Sequence, residues 1–297
     1  MRFTTIITTT ATLLLLGAIL FSCEDPIEVP SDFEEPQLVV DAWLENTNTP
    51  QTIILSETVD YFAGGQPNTI TTATIQVCKN DGATCYDFVH TSDGRYVWQP
   101  AADETLGSVG DNFALSIELD DVIYTGQALL RRTTRLDSIG FVFEEETILF
   151  EEGFAAEAYA FDLPGRGDTY WMKTYKNDTL LNRASELTIA FDATFDAGAD
   201  VDGTYFIPPL RRGANPFDDD GAFIPYQLGD RVRVEVHSIS QEAFQFLSIA
   251  TEQILNEGLF AVPLANSPSN IVNTTTGERI LGIFNVAEVA TLERKLE

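Results

Sequence analysis

Basic residues are scarce in this chain: 17 Lys and Arg stand against 46 Asp and Glu, a formal net charge of −29 over 297 residues. Nucleic-acid binding needs a Lys/Arg footprint on the phosphates, and docking on anionic lipid needs a basic patch. The charge balance excludes both. Only two histidines are present, His90 and His237, each in a strand-like stretch without a visible acid–base partner. The three cysteines, Cys23, Cys78 and Cys85, contain no C-x-x-C pair, so they do not read as a metal site. The G-x-S-x-G, H-E-x-x-H, P-loop and G-x-G-x-x-G signatures are all missing. With 46 acids, carboxylate pairs are too abundant for any one to indicate a glycosidase. These absences predict a protein that is not an enzyme and takes no cofactor or metal.

Hydrophobic residues make up 44% of the chain, enough to build a core, and aromatic and β-branched residues occur throughout. The charge therefore belongs to a folded surface, not to a disordered segment. One apolar run stands out, Leu13 to Phe21, preceded by Arg2 and followed by Ser22-Cys23. It is too short for a stable membrane-spanning helix and reads as a secretory leader over residues 1–22. The run resembles the leader of a bacterial lipoprotein precursor, and that resemblance implies cleavage before Cys23 and acylation of its sulfur and amine, palmitate included. The simpler alternative is an ordinary signal peptide with an incidental cysteine. Several acyl chains on one residue anchor a protein stably, whereas one chain binds reversibly. Residues 23–36 follow as a tether with three prolines and six acids, extended over about 40 Å at about 3.1 Å per residue.

The two remaining cysteines flank Lys79-Asn80-Asp81-Gly82-Ala83-Thr84. Asp-Gly favours the centre of a two-residue hairpin turn, because both positions accept positive φ. Counting outward from it places Cys78 opposite Cys85, at about 4.5–5.5 Å between Cα atoms, within reach of a disulfide. Export would permit that bond.

From Gln37 onward short alternating runs are broken by turn residues. Leu38–Leu44, Thr52–Ser56, Thr71–Cys78, Cys85–His90, Tyr96–Trp98, Asn112–Leu119 and Val122–Leu129 read as strands. Asp120-Asp121 makes a second tight turn. The density of strands predicts an immunoglobulin-like β-sandwich over 37–130. Residues 131–297 read as a second β-rich domain, with strands at Leu136–Phe143, Phe154–Leu163, Thr169–Lys176, Leu187–Phe191, Arg231–Ser238 and Arg279–Asn285. The alternation of Val232, Val234 and Val236 with Arg231, Arg233, Glu235 and His237 predicts one wet face. A single helix is expected from Gln241 to about Glu257, capped by Ser240 and ended by Gly258. The expected class is mainly β with one helix. Between 24 and 130 the only basic residues are Lys79 and Arg95.

Asp192 to Tyr226 is long, irregular and rich in Gly, Pro and Asp. Long loops without secondary structure are often functional. Tyr205, Phe206 and Phe217, beside Arg211 and Arg212, are its candidates for gripping a ligand or partner protein. The alternative is that the rings pin the loop to its own domain. Arg131, Arg132 and Arg135 form a second candidate contact, or else belong to an inter-domain interface. Asp196–Gly203 lacks the first ligand and the position-12 glutamate of an EF-hand. Asp218-Asp219-Asp220-Gly221 reads as a solvated acidic turn before it reads as an irregular calcium site.

The leader, the tether, Gln37-Leu38-Val39-Val40-Asp41, Leu136-Asp137-Ser138-Ile139, Ser269-Asn270-Ile271 and Gly282-Ile283-Phe284 together resemble a family of Bacteroidota outer-membrane lipoproteins of unknown function, commonly encoded beside TonB-dependent receptors. The resemblance implies an outer-membrane location, a surface-export signal at Glu24-Asp25, and O-glycosylation sequons at Asp137-Ser138-Ile139 and Asp178-Thr179-Leu180. It also implies a partner, a TonB-dependent transporter that this protein would cover or supply with ligand. A stand-alone adhesin or surface-layer component is the alternative.

Overall fold

The computed structural model describes residues 35–59, 66–146, 152–192, 202–206, 210–211, 213–218, 221–255 and 266–297. The leader at 1–22, Cys23 and most of the tether lie outside them, as do Arg212, Asp219, Asp220 and Gly258. The chain first lays down β1 (Leu38–Glu45), β2 (Gln51–Glu57), β3 (Thr74–Lys79), β4 (Thr84–Ser92), β5 (Arg95–Trp98), β6 (Asn112–Leu119) and β7 (Val122–Leu129). A long hairpin follows, β8 (Arg135–Glu144) with β9 (Gly153–Phe161). Next come β10 (Thr169–Lys176), β11 (Thr179–Leu180), β12 (Thr188–Phe191), β13 (Arg231–Ser238) and the helix α1 (Gln241–Ile254). The chain closes with β14 (Ile271–Asn273), β15 (Leu281–Ala287) and β16 (Val289–Lys295). The mainly β class with one helix agrees with the sequence.

Tight turns fix the hairpin registers. Asp93-Gly94, Asp120-Asp121 and Asn177-Asp178 all have positive φ, between +46° and +71°, and each joins strands whose flanking residues pair directly. Asn and Asp tolerate this backbone region better than other side chains, and its twist matches that of the strands. Around Asp81-Gly82 the turn is wider than expected: Asn80 is also left-handed (φ +51°), and the first ladder pair is Lys79 with Thr84. The next pair out is Cys78 with Cys85, which are joined by the disulfide.

Nine strands form one sheet in the order β14-β7-β6-β3-β4-β5-β2-β1-β15. β4 turns the corner within it, pairing with β3 through Thr84–Phe88 and with β5 through Val89–Ser92. Side chains alternate, so Val40, Leu44, Ile53, Leu55, Ile75, Val77, Leu115 and Ile117 point into one core. Phe284 and Ile271, from the far end of the chain, fill the same core.

The two ends of this sheet meet. The Asn270 side chain accepts from the Phe284 N–H (2.9 Å) and donates to the Phe284 and Gln127 carbonyls (2.7 and 3.0 Å). One amide thus stands in for the ladder between β7 and β15 and nearly closes a barrel. β15 also runs parallel to β1, from Val39–Leu281 to Glu45–Ala287. Gly282 makes the approach possible: its φ is +106°, and a Cβ there would lie 1.9 Å from the Val40 carbonyl oxygen.

The second sheet has β10 at its centre, with β11 and β12 on one side and β13 then β16 on the other. Tyr170, Met172, Val232, Val234 and Val236 pack against the β8–β9 hairpin, whose Ala156, Ala158 and Ala160 allow close contact. A single residue, Glu288, separates β15 in the first sheet from β16 in the second. The boundary expected at 130/131 therefore does not divide the sheets. β14 and β15 return to the first one because β1 and β7 would otherwise expose unpaired backbone edges. The described residues from Pro36 onward belong to one compact unit.

Candidate functional site

Most of the loop residues singled out from sequence are occupied in holding the loop to its own region. Phe206 is a correction: expected to meet a ligand, it is 3% exposed and its ring packs on Tyr170 at 5.8 Å. Arg211 bridges two carboxylates, its Nε reaching Glu157 at 2.5 Å and a terminal nitrogen reaching Glu144 at 2.6 Å. Phe217 pairs with Phe223 through backbone and rings, and its N–H donates to Glu186. Tyr205 meets Phe161 edge to face and keeps its outer side in solvent. Buried Asn215 does most of the fastening. It accepts from the Ala156 N–H (2.7 Å) and donates to the Ala156 and Arg211 carbonyls (2.8 and 2.7 Å). Asp218 accepts from the Ala222 N–H and closes its own turn.

Arg132 sits within the turn between β9 and β10. Its guanidinium pairs with Asp168 through two nitrogens (3.0 and 2.5 Å) and donates to the carbonyls of Pro164 and Gly165 (2.8 and 3.0 Å). Asp192 accepts from the N–H groups of Gly167 and Asp168, fixing the same turn from behind. Buried Asp162 accepts from the Tyr170 hydroxyl at 2.7 Å, and burial raises the pKa of both groups. Arg131 donates to the Gly167 carbonyl, whereas Arg135 is exposed beside Asp137. Arg131 and Arg132 are thus structural, and they join the segment after β7 to the second sheet.

The polar cluster that sequence patterning missed lies where β1 meets the second sheet. His237 is 2% exposed, although its face of β13 was expected to be wet. Trp43 of β1 and Trp171 of β10 cover that face, with ring centroids 5.0 Å apart, and Phe246 of α1 packs on Trp43. The His237 Nδ1 lies 3.5 Å from Glu45, and Nε2 lies 3.3 Å from Glu235. Lys173 pairs with Glu45 at 3.4 Å and lies over the Trp171 ring. Arg233 contacts Glu235 at 3.2 Å. Burial lowers the His237 pKa, outweighing the hydrogen bond to Glu235 that would raise it. Burial would raise Glu235, but His237, Arg233 and Lys173 outweigh it and hold that carboxyl low. Both imidazole nitrogens are engaged inside a packed interface, so the geometry suits anchoring more than proton transfer to a substrate. No signal in the sequence places Glu45 beside His237, since they come together only by tertiary packing.

Ser240 caps α1 as expected, accepting from the Ala243 N–H at 3.0 Å, and its own N–H donates to Asn285 of β15. Ser138 and Thr179, of the two sequons, are both exposed. Among the described residues no group of three or more His, Cys, Asp or Glu side chains is arranged to hold a metal ion. No described helix is long and apolar enough to cross a membrane.

The family described as Domain of unknown function (DUF4249) matches residues 24–293. The chain belongs to that family. Among curated proteins none matches it. The DUF4249 match takes in both sheets and the helix, in keeping with their union through β14–β16.

Proposed function

We propose that this DUF4249 chain is a non-enzymatic lipoprotein of a Bacteroidota-type outer membrane, acylated at Cys23, facing the cell surface and serving a TonB-dependent transporter as an accessory or ligand-capture subunit. The observation that carries the reading is the N-terminal order of short apolar leader, Cys23 and acidic proline-rich tether. The family match begins at residue 24, immediately after the cysteine, which supports treating the leader as a separate element. The Cys78–Cys85 disulfide is in keeping with an oxidising compartment. An acidic exterior suits a protein held off an anionic membrane by repulsion.

The test is native purification from outer membranes after labelling with a palmitate analogue. Label on the wild type and none on Cys23→Ser is the expected outcome, with a TonB-dependent barrel co-purifying. A labelled protein that brings down no such barrel overturns the partnership and leaves the stand-alone adhesin. An unlabelled protein overturns the anchor.

A further inference from the structure

The outer face of the first sheet carries a concavity that none of the elements described above explains. It is a groove of about 410 Å³ between the β3–β4 hairpin tip and the β6–β7 pair, lined by Asn80, Asp81, Asn112, Ala114, Gln127 and Leu129. The volume lies in the range of about 300–1,000 Å³ typical of small-molecule sites. A sheet face is normally flat. Here the floor drops because Ala114 is small, while Gln127 opposite it, Leu129 opposite Asn112 and the hairpin tip stand around it.

The wall is rigid. The Asn80 N–H donates to the Asn112 carbonyl (2.8 Å), and its side chain accepts from the Asn112 N–H (3.0 Å) and donates to Asp111 (2.7 Å). Behind it the Cys78–Cys85 disulfide staples the hairpin, with Cys78 directly opposite Ala114. Exposed Asn112, Gln127 and Asp81, by contrast, use their side chains for no hydrogen bond among the described residues. Fixed backbone beneath unengaged amides and a carboxylate is the arrangement of a preorganised binding surface.

We infer that this groove binds a neutral, polyhydroxylated ligand of the saccharide class. A primary amide both donates and accepts, and so serves adjacent hydroxyls; a carboxylate accepts from a hydroxyl. Leu129, 41% exposed, offers an apolar surface to the C–H face of a sugar ring. The lining contains no cation, and the surrounding acidic surface repels phosphate, sulfate and uronate. Phe113 also borders the groove but its ring is buried in the core, so no exposed aromatic platform is offered and affinity is modest, with a Kd of about 1 mM or somewhat tighter. The inference holds whether or not a transporter is the partner.

The full-length chain in detergent is titrated by calorimetry with neutral malto-, cello-, manno- and xylo-hexaoses, and with an anionic oligogalacturonide as the counter-probe. At least one neutral series binds, and the anionic one does not. Gln127→Ala and Asn112→Ala each weaken binding about tenfold, and Ala114→Trp, which fills the floor, abolishes it. All three positions are exposed, so the melting temperature stays at the wild-type value and separates lost binding from lost folding. Binding that survives Ala114→Trp, preference for the anionic probe, or no saturable heat with any neutral hexaose overturns the inference.

Discussion

The nine-stranded sheet and the second region, where the β8–β9 hairpin packs on the five-stranded sheet, solve the same backbone problem differently. In the first, tight Asn/Asp/Gly turns join β3–β4, β4–β5 and β6–β7, and regular backbone ladders pair the distant strands β2–β5, β3–β6 and β1–β15, with Gly282 and Asn270 completing the closure. Against the second sheet packs the separate two-stranded β8–β9 sheet, in which β9 has a conventional partner on one side only. Its other side is met by isolated bridges to Tyr205, Leu210 and Tyr226 and by the Asn215 amide. Irregular chain stands where a strand would be, and Arg211 holds it there through Glu157 and Glu144. Asn270 and Asn215 perform the same act in the two places, each using one amide to satisfy both the N–H and the carbonyl of a single strand residue. The difference teaches where specificity resides: tight turns and regular backbone ladders in the first region, side-chain groups standing in for a ladder in the second.

This contrast can be broken most severely at Gly282. Gly282→Val puts a side chain into the Val40 carbonyl at a φ that favours glycine, and should cost about 4 kcal/mol in denaturant unfolding. Loss of cooperativity should begin in the first sheet, read by hydrogen exchange of β1 and β15. A smaller loss in denaturant unfolding, about 3 kcal/mol, is expected for Arg132→Met, which strands Asp168 and frees the 163–165 carbonyls. Its first sign should be faster proteolysis of the turn between β9 and β10.

Asn270→Ala and Asn215→Ala should each cost about 2 kcal/mol by leaving buried backbone groups unpaired. Their signatures should be opposite. The first should raise exchange at Phe284 while leaving the Arg211 segment protected, and the second should do the reverse. If both loosen the same residues, the distinction between the regions is wrong.

The smallest effect is the pH dependence at the interface between them. His237 is held below its ordinary pKa of 6.5, so below that pH the unfolded chain binds the proton more readily than the folded one. Stability should therefore fall as pH drops from about 6.5 toward the folded-state value. The lowered pKa of Glu235 adds a further loss as pH falls below its ordinary 4.5. His237→Asn should remove the first slope, measured by unfolding at successive pH values, and weaken the acid limb, because the imidazole is the largest of the groups that hold Glu235 low.

Most strands were legible because their alternation is local: β6, β7, β10 and β13 occupy the residues expected from sequence. The disulfide followed from counting along a hairpin, and the helix start from Ser240. β14 was missed because a three-residue strand carries no period, and β16 because its exposed end reads as Leu-Glu-Arg-Lys. Phe206 and Phe217 were placed in a binding loop because aromatic content alone does not reveal which side a ring turns to. Asn112 and Gln127 attracted no attention, since single amides become a site only when neighbouring strands align them.

By itself the sequence determined the β class, the Asp120-Asp121 turn, the capped start of the helix and the cysteine pairing. Each depends on residues within a few positions of one another. Only the tertiary structure decided that the last strands complete the first sheet, that β13's outer face is buried at His237, and that the groove beside the disulfide exists. Those outcomes depend on which distant edges need partners, and a strand's hydrogen-bonding groups are the same whatever its side chains. Local pattern selects the strand; packing and backbone satisfaction select its neighbour.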